Sequence, residues 1–197
     1  KTTTLKLLSG ILYPTSGEVL VNGFVPWERK NEFKRSFAIV MGQKNQLWWD
    51  LPASDSLYLN KCIYDVDDRE YKKTVDELSE LLGVRELMNI QVRRLSLGER
   101  MKMEILAALI HRPGILFLDE PTIGLDIVSQ QKIRDFLHYY NEQTKTTIIL
   151  TSHYMRDIEA LCSRAVIINS GTLVYDGALS DINHRMGDKR LLTLSFS

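Results

Sequence analysis

Apolar residues recur along this chain with two different spacings, which predict a mixture of strands and helices. Short continuous apolar runs bounded by turn residues predict buried strands at 37–41, 115–118 and 147–151. Because these strands alternate with segments of helical spacing, the pattern favours an α/β fold with a mostly parallel sheet. The predicted helices are Lys1–Ser9, Asp55–Tyr64, Asp68–Leu82, Leu97–His111, Met155–Leu161 and one capped by Ser129.

Turn residues divide the chain further. Asn22-Gly23 follows an alternating segment and Ser170-Gly171 separates two apolar-rich segments, so both dipeptides predict hairpins. Residues 50–112 carry only helical patterns. We therefore predict one domain, in which this helical subdomain is inserted into an α/β core formed by residues 1–49 and 113–197.

Composition limits the classes of partner. Hydrophobic residues make up 44% of the 197 residues, and 25 acidic side chains balance 25 basic ones. The zero formal net charge predicts no general attraction to nucleic acid or anionic lipid. Cys62 and Cys162 lie far apart, which favours two reduced thiols. No apolar run approaches the ~18 residues of a membrane helix, so we expect a soluble chain that reaches any membrane through a partner.

Four short stretches in a fixed order carry the candidate chemistry. In one of them an apolar strand runs directly into Asp119 and Glu120. Since the carboxyl end of a buried parallel strand opens on a crevice, the first carboxylate is placed to hold Mg²⁺ and the second to orient or deprotonate a water. This is the chemistry of a nucleotide hydrolase. The four stretches are Leu95–Glu99, Ile115–Pro121, Gly124–Asp126 and Thr151–His153.

These stretches resemble the motifs of the ATP-binding cassette family over nearly the whole chain. Lys1–Leu5 is similar to the end of a Walker A motif, and Ser96–Glu99 is similar to the family signature. The resemblance implies a P-loop NTPase (RecA-like) core, with ATP as substrate and Mg²⁺ as cofactor. Single residues match the Q-loop glutamine, the Walker B aspartate, the catalytic glutamate, the D-loop aspartate and the switch histidine: Gln43, Asp119, Glu120, Asp126 and His153.

The resemblance also implies roles around one nucleotide. Lys1 would contact the β- and γ-phosphates, Thr2 would ligate Mg²⁺, and Thr3 would contact a phosphate oxygen. Asp119 would hold the metal, and Glu120 would act as general base or water-positioner. Gln43 would complete the metal shell and His153 would bind the γ-phosphate, and both are assigned with Glu120 to the catalytic group.

In this family the signature faces the nucleotide of another subunit. Ser96 would form a second anion site with the N-terminus of the helix that follows, and Gly98, Glu99 and Asp126 are also assigned to nucleotide binding. Hydrolysis then needs two cassettes packed head to tail, either two copies of this chain or this chain with a related one. This chain has Leu97 where the family usually has a second glycine, and Glu99 where it usually has glutamine.

The segments Gln46–Pro52 and Leu95–Gly98 resemble a bacterial exporter-type subgroup. The resemblance implies ATP hydrolysis that powers export of an unidentified substrate across the cell membrane. A transmembrane permease would dock near Gln43–Leu51 and hold this subunit at the cytoplasmic face. Two interpretations of Trp48 and Trp49 stay open: both rings are buried in the helical subdomain, or at least one is exposed in the docking surface.

Two other functions stay open at this level. A soluble cassette ATPase could act on DNA or ribosomes, but the interval from Gln43 to Ser96 is short and has neither heptads nor paired cysteines, and we expect no nucleic-acid partner. A non-catalytic cassette would be expected to have lost one of Asp119, Glu120 and His153, and all three are present.

The chain starts at the Walker A lysine, so we expect it to be a fragment. The glycine-rich loop, a central strand of the sheet and the adenine-stacking aromatic would precede Lys1. We expect the complete protein to bind and hydrolyse ATP. Because loss of a central strand leaves unpaired backbone on its neighbours, we expect the isolated fragment to bind ATP poorly or not at all.

Overall fold

The computed structural model describes residues 1–42 and 44–182 of the chain. They form two compact units, one spanning Lys1–His153 and a second that begins at Tyr154. The strands are Phe37–Met41 (β1), Ile115–Asp119 (β2), Thr147–Thr151 (β3), Arg164–Asn169 (β4) and Thr172–Ala178 (β5). The α-helices are Thr2–Leu8 (α1), Asn31–Ser36 (α2), Ala53–Tyr64 (α3), Asp68–Leu81 (α4), Leu97–Leu109 (α5), Ile127–Thr144 (α6) and Met155–Leu161 (α7).

A parallel sheet with the order β1-β2-β3 forms the centre of the first unit. Every residue of β2 is buried, as expected for a strand paired on both sides and covered on both faces. One cluster of buried residues packs α1 and α2 against this sheet: Leu5, Val21, Phe33, Ile115 and Phe117. The parallel register brings Met41, Asp119 and Thr151 to the same edge of the sheet.

The prediction that β3 is a buried strand is wrong. Thr147 and Ile149 are exposed and the other residues of β3 are only half-buried. Within the described part of the sheet, β3 pairs with β2 alone, so its second edge has no strand beside it. The apolar sequence of β3 identifies a strand correctly but does not fix how much of it is covered.

Two further predictions of local structure are corrected. Asn22 and Gly23 do form a turn with positive φ at both positions, but it is closed by a single bridge between Val21 and Phe24, with no strands on either side. The helix α6 is capped by Asp126, whose carboxylate accepts the N–H of Ser129. Both residue types are good caps, and the aspartate three positions earlier forms the bond.

The helices predicted between residues 50 and 112 are present as α3, α4 and α5. Asp67 caps α4 by accepting the N–H groups of Arg69 and Glu70. These helices belong to the first compact unit together with the sheet. The division into a core of residues 1–49 and 113–197 with an inserted subdomain stays a prediction.

In the second unit, β4 and β5 form the predicted antiparallel hairpin. Ser170 and Gly171 make its two-residue turn with φ of 47° and 80°, the conformation that suits the right-handed twist of a hairpin. Helix α7 has the predicted bounds. Among the described residues, no helix combines the length and apolar character needed to cross a bilayer.

Candidate active site

Two adjacent acids end the central strand of the sheet. Asp119 is the last residue of β2 and Glu120 follows it, and each is only 8% exposed. A buried carboxylate needs hydrogen-bond donors or a cation, because leaving it unpaired is costly. The contacts of these two acids therefore define the site.

Asp119 collects hydroxyl groups from two other elements. The Thr2 hydroxyl at the start of α1 donates to Asp119 Oδ1 at 3.0 Å, and the Thr151 hydroxyl at the end of β3 donates to the same oxygen at 2.6 Å. Oxygen atoms of this kind are the ligands that Mg²⁺ prefers.

Within the described residues no group of three or more His, Cys, Asp or Glu side chains could hold a metal by itself. A single carboxylate with a hydroxyl fits Mg²⁺ that takes its remaining ligands from phosphates and water, which is how nucleotide sites bind this ion. Asp119 and Thr2 are thus the residues that would hold it.

Glu120 is held at both carboxylate oxygens by His153. The backbone N–H of His153 donates to Glu120 Oε2 at 3.1 Å, and the imidazole Nε2 lies 3.3 Å from Oε1. The Glu120 backbone has a φ of 55°, a left-handed conformation that costs a non-glycine residue energy and persists where the surroundings impose it. Its N–H donates to the Thr151 carbonyl at 3.0 Å, which ties this conformation to β3.

Lys1 completes this group with a cation. Its Nζ donates to the carbonyl oxygen of Ser152 at 3.1 Å, next to His153 in the chain. The structure therefore brings together five of the residues singled out in the sequence: Lys1, Thr2, Asp119, Glu120 and His153. Thr3 is exposed in the first turn of α1.

The signature residues form a second group at the N-terminus of α5. Ser96 caps the helix by accepting the N–H of Glu99, and the Glu99 carboxylate accepts both the N–H and the hydroxyl of Ser96 at 2.8 Å. This reciprocal arrangement is a capping box. The hydrogen bonds from Ser96 lower the pKa of Glu99 below its ordinary value. Asp126 has a similar role in α6, and hydrogen bonds from Ser129 lower its pKa.

Gly98 meets a packing requirement. A methyl group built on its Cα would overlap the hydroxyl and Cβ of Ser129. The N-terminal turns of α5 and α6 therefore approach each other too closely for any side chain at position 98. This contact holds the Ser96 cap beside the Asp126 cap.

Gln43 lies outside the described residues, and its predicted role stays a prediction. Its neighbour Gly42 is fixed at the site, because its N–H donates to the Asp119 carbonyl at 2.8 Å. A methyl group at position 42 would overlap the carbonyl oxygen of Glu120. A glycine is therefore required where the chain passes the acid pair.

Sequence reasoning gave no role to Thr151 or to Glu104. Glu104 is 4% exposed inside α5, and its Oε1 accepts the backbone N–H of Gln46 at 2.8 Å and of Leu47 at 3.3 Å. Its Oε2 is buried, with no hydrogen-bond partner among the described residues. The available signal was an acidic residue within the apolar run from Met103 to Leu106. Burial raises the pKa of Glu104 above its ordinary value, against the opposing effect of the two N–H bonds.

This raised pKa predicts a pH-dependent stability difference. A carboxyl group whose pKa is raised by folding stabilises the fold fully below its unfolded pKa of about 4.3 and loses that contribution as the pH rises through the folded value. Glu104→Gln does not titrate and keeps an oxygen for both N–H groups. Its unfolding temperature should therefore rise relative to the wild type between pH 4 and pH 8, and thermal unfolding at each pH measures it. Glu86→Gln, at an exposed position, should show no such trend.

Comparison with known proteins assigns this chain to a family. The sequence matches the ABC transporter family over residues 1–123. This chain belongs to that family. It is 35% identical over 182 residues to the ABC transporter ATP-binding protein NatA of Bacillus subtilis, a match that covers 92% of this chain and 74% of NatA. It is 34% identical to the linearmycin resistance ATP-binding protein LnrL of Bacillus subtilis, covering 100% of this chain and 63% of LnrL.

Solved structures agree with this ABC assignment. The structure of an ATP-binding subunit of an ABC transporter superposes with a TM-score of 0.82 at 26% identity, covering 94% of this chain and 77% of that one. The predicted P-loop NTPase class is thereby confirmed. Like the other ATP-binding subunits of ABC transporters, the chain belongs to a class of ATPases whose hydrolysis is coupled to transport.

Proposed function

We propose that the complete protein hydrolyses ATP at the Asp119–Glu120 site and thereby powers export of a substrate through a membrane permease. The observation that carries the proposal is the pair of acids at the end of β2, one hydrogen-bonded to Thr2 and the other to His153. Export is favoured over import because the relative LnrL is a resistance protein by name. The identity of the substrate is left open by this chain.

The residues of the site divide the work of hydrolysis. Glu120 accepts a proton from the attacking water or orients it, and the two contacts from His153 hold the carboxylate for that task. Lys1 neutralises phosphate charge as a point cation. Thr2 and Asp119 would hold Mg²⁺, which would supply charge stabilisation at the phosphate oxygens.

The residues at the N-termini of α5 and α6 are proposed to contribute to the nucleotide site of a second cassette. Ser96 is exposed at the N-terminus of α5, where the helix dipole favours an anion, and Asp126 is exposed at the N-terminus of α6. We infer that they face the nucleotide of a partner subunit in a head-to-tail dimer. A subunit alone would then hold only part of each site.

The permease is proposed to dock on the tryptophan loop, which we define as residues 44–52. Trp48 is 55% exposed and Trp49 45%, so the alternative in which both rings are buried is wrong. The loop backbone is nevertheless fixed, because the Trp48 N–H donates to the Ser56 hydroxyl and the Arg93 N–H donates to the Trp49 carbonyl, both at 3.0 Å. Exposed aromatic side chains on a fixed backbone are typical of an interface.

The double change Trp48→Ala and Trp49→Ala tests this docking surface. Because both rings are exposed, the free energy of unfolding should change by less than about 1 kcal/mol, the usual range for surface positions. Binding to the membrane protein encoded beside its gene should fall by about 2 kcal/mol or more, as for interface hot spots. Chemical denaturation and co-purification of the complete proteins measure the two quantities.

Tyr58→Ala and Ile63→Ala provide a matched control, since both side chains are exposed on α3 outside the tryptophan loop. If the wild type co-purifies with ribosomes or DNA and not with the membrane protein, the soluble-ATPase function replaces this proposal. If the tryptophan variant unfolds several kcal/mol more easily, the two rings serve to stabilise the fold and the docking surface is rejected.

A further inference from the structure

The tryptophan loop is attached to α5 at two places. Glu104 accepts the N–H groups of Gln46 and Leu47, and the Arg100 guanidinium lies 5.1 Å from the centre of the Trp49 ring. Arg100 and Glu104 are one helical turn apart and so share a face of α5. Both the backbone and an exposed ring of the loop therefore contact the same helix.

The two hydrogen bonds that Glu104 accepts are placed to position the backbone of the tryptophan loop. Leu47 is 4% exposed, so its N–H would be unpaired inside the protein without the carboxylate. A buried acid is a costly way to satisfy two backbone donors, and its raised pKa and unpartnered Oε2 express that cost. Its geometric consequence is that the chain from Gln46 to Leu47 is held against α5 while the next two side chains face outward.

The two ends of this arrangement lie at different sites. Ser96 caps the start of α5, eight residues and about 12 Å along the helix from Glu104. At the other end, the loop is separated by only Gln43 from Gly42, whose N–H is bonded to the Asp119 carbonyl. Helix α5 therefore carries the Ser96 cap at its start and, at Glu104, bonds the backbone that precedes Trp48 and Trp49.

We propose that Glu104 is a positioning residue that couples the signature helix α5 to the permease-docking tryptophan loop. The inference rests on the proposed function, because it takes Ser96 as the contact with a second cassette and Trp48–Trp49 as the contact with the permease. Because Glu104 is 4% exposed, it would act through the loop and not by direct contact with nucleotide or permease. Its effect is on how strongly the contact of Ser96 with a second cassette changes the affinity of the tryptophan loop for the permease, and the reverse.

The test compares Glu104→Ala with Glu104→Gln in the complete protein, with and without its membrane subunit in liposomes. For Glu104→Ala, ATP hydrolysis without the membrane subunit should stay close to wild type. Its stimulation by that subunit should fall by about 2- to 30-fold, the range in which changes along a coupling network act. Glu104→Gln keeps an oxygen for both N–H groups and should restore the stimulation.

A spectroscopic measurement follows the loop independently of activity. The chain has three tryptophans, so Trp27→Phe leaves Trp48 and Trp49 as the only tryptophan fluorophores of this sequence. In that background Glu104→Ala should increase quenching by acrylamide and lower the fluorescence anisotropy. Glu104→Gln should leave both at the values of the Trp27→Phe protein.

The outcomes separate this proposal from the one on which it rests. Full stimulation and unchanged fluorescence in Glu104→Ala would overturn the coupling role. Equal loss of basal and stimulated hydrolysis, without rescue by Glu104→Gln, would make Glu104 a merely structural residue and also overturn it. If the wild-type protein neither binds nor responds to its membrane subunit, the proposed function itself fails.

Discussion

Glu120→Gln is expected to lower ATP turnover of the complete protein by about 10²- to 10⁴-fold, the usual contribution of a general base. Glutamine has the same size and keeps an oxygen for the His153 N–H, so the geometry of the site should survive. What is lost is the ability to accept a proton from water. Steady-state phosphate release measures the rate, and titration with nucleotide should show that ATP affinity changes little.

The control for this change is Glu86→Gln, which removes a carboxylate at an exposed position. It should hydrolyse ATP at the wild-type rate. Unchanged turnover in Glu120→Gln would mean that another group activates the water, and the general-base assignment would be abandoned. A loss of ATP binding together with turnover would point to a disturbed site instead of a missing base.

Gly42→Ala should have the second-largest effect. Its methyl group would overlap the carbonyl oxygen of Glu120, a backbone atom that no side-chain rotation can move away. Overpacking of this kind costs about 1–3 kcal/mol of stability. The shift must also displace Glu120, the proposed general base, and a misplacement of ~1 Å in such a group costs about 10²-fold in rate. Thermal unfolding and phosphate release together check both effects.

Gly114→Ala is the matched control, because the nearest atom to a methyl group there is the Ser36 carbonyl oxygen at 3.7 Å, an ordinary contact. It should fold and turn over ATP like the wild type. A Gly42→Ala protein with wild-type stability and rate would show that the backbone at Glu120 tolerates displacement, and the close approach would then have no functional weight.

The fold was predictable wherever the apolar pattern was long enough. Helix α4 extends over four turns with regular apolar spacing and a capping aspartate, and its bounds agree with the prediction to one residue. Helix α2 was missed because six residues with one buried aromatic, Phe33, show no period. The exposure of β3 could not be predicted either, because the sequence of a strand does not say how many neighbours pair with it.

The candidate site was predictable for a different reason. Motif order singled out Asp119, Glu120 and His153, since two acids directly after one predicted strand and a histidine after the next are visible in sequence. The roles of Gly42 and Gly98 could not be predicted, because they depend on contacts between segments far apart in the chain. Gly42 lies close to Glu120, and Gly98 lies close to Ser129. Glu104 bonds to backbone N–H groups nearly sixty residues away, and backbone donors leave no trace in the identity of the residue that carries them.

The left-handed backbone of Glu120 has a consequence for how variants of this protein would be selected. Glycine or asparagine would adopt a φ of 55° with less energy than glutamate does. A screen that rewards heat resistance alone would favour those residues at position 120 and enrich proteins that lack the proposed general base. Selection for thermal stability and selection for ATP turnover thus favour different residues at position 120. Both properties must therefore be assayed when this chain is engineered.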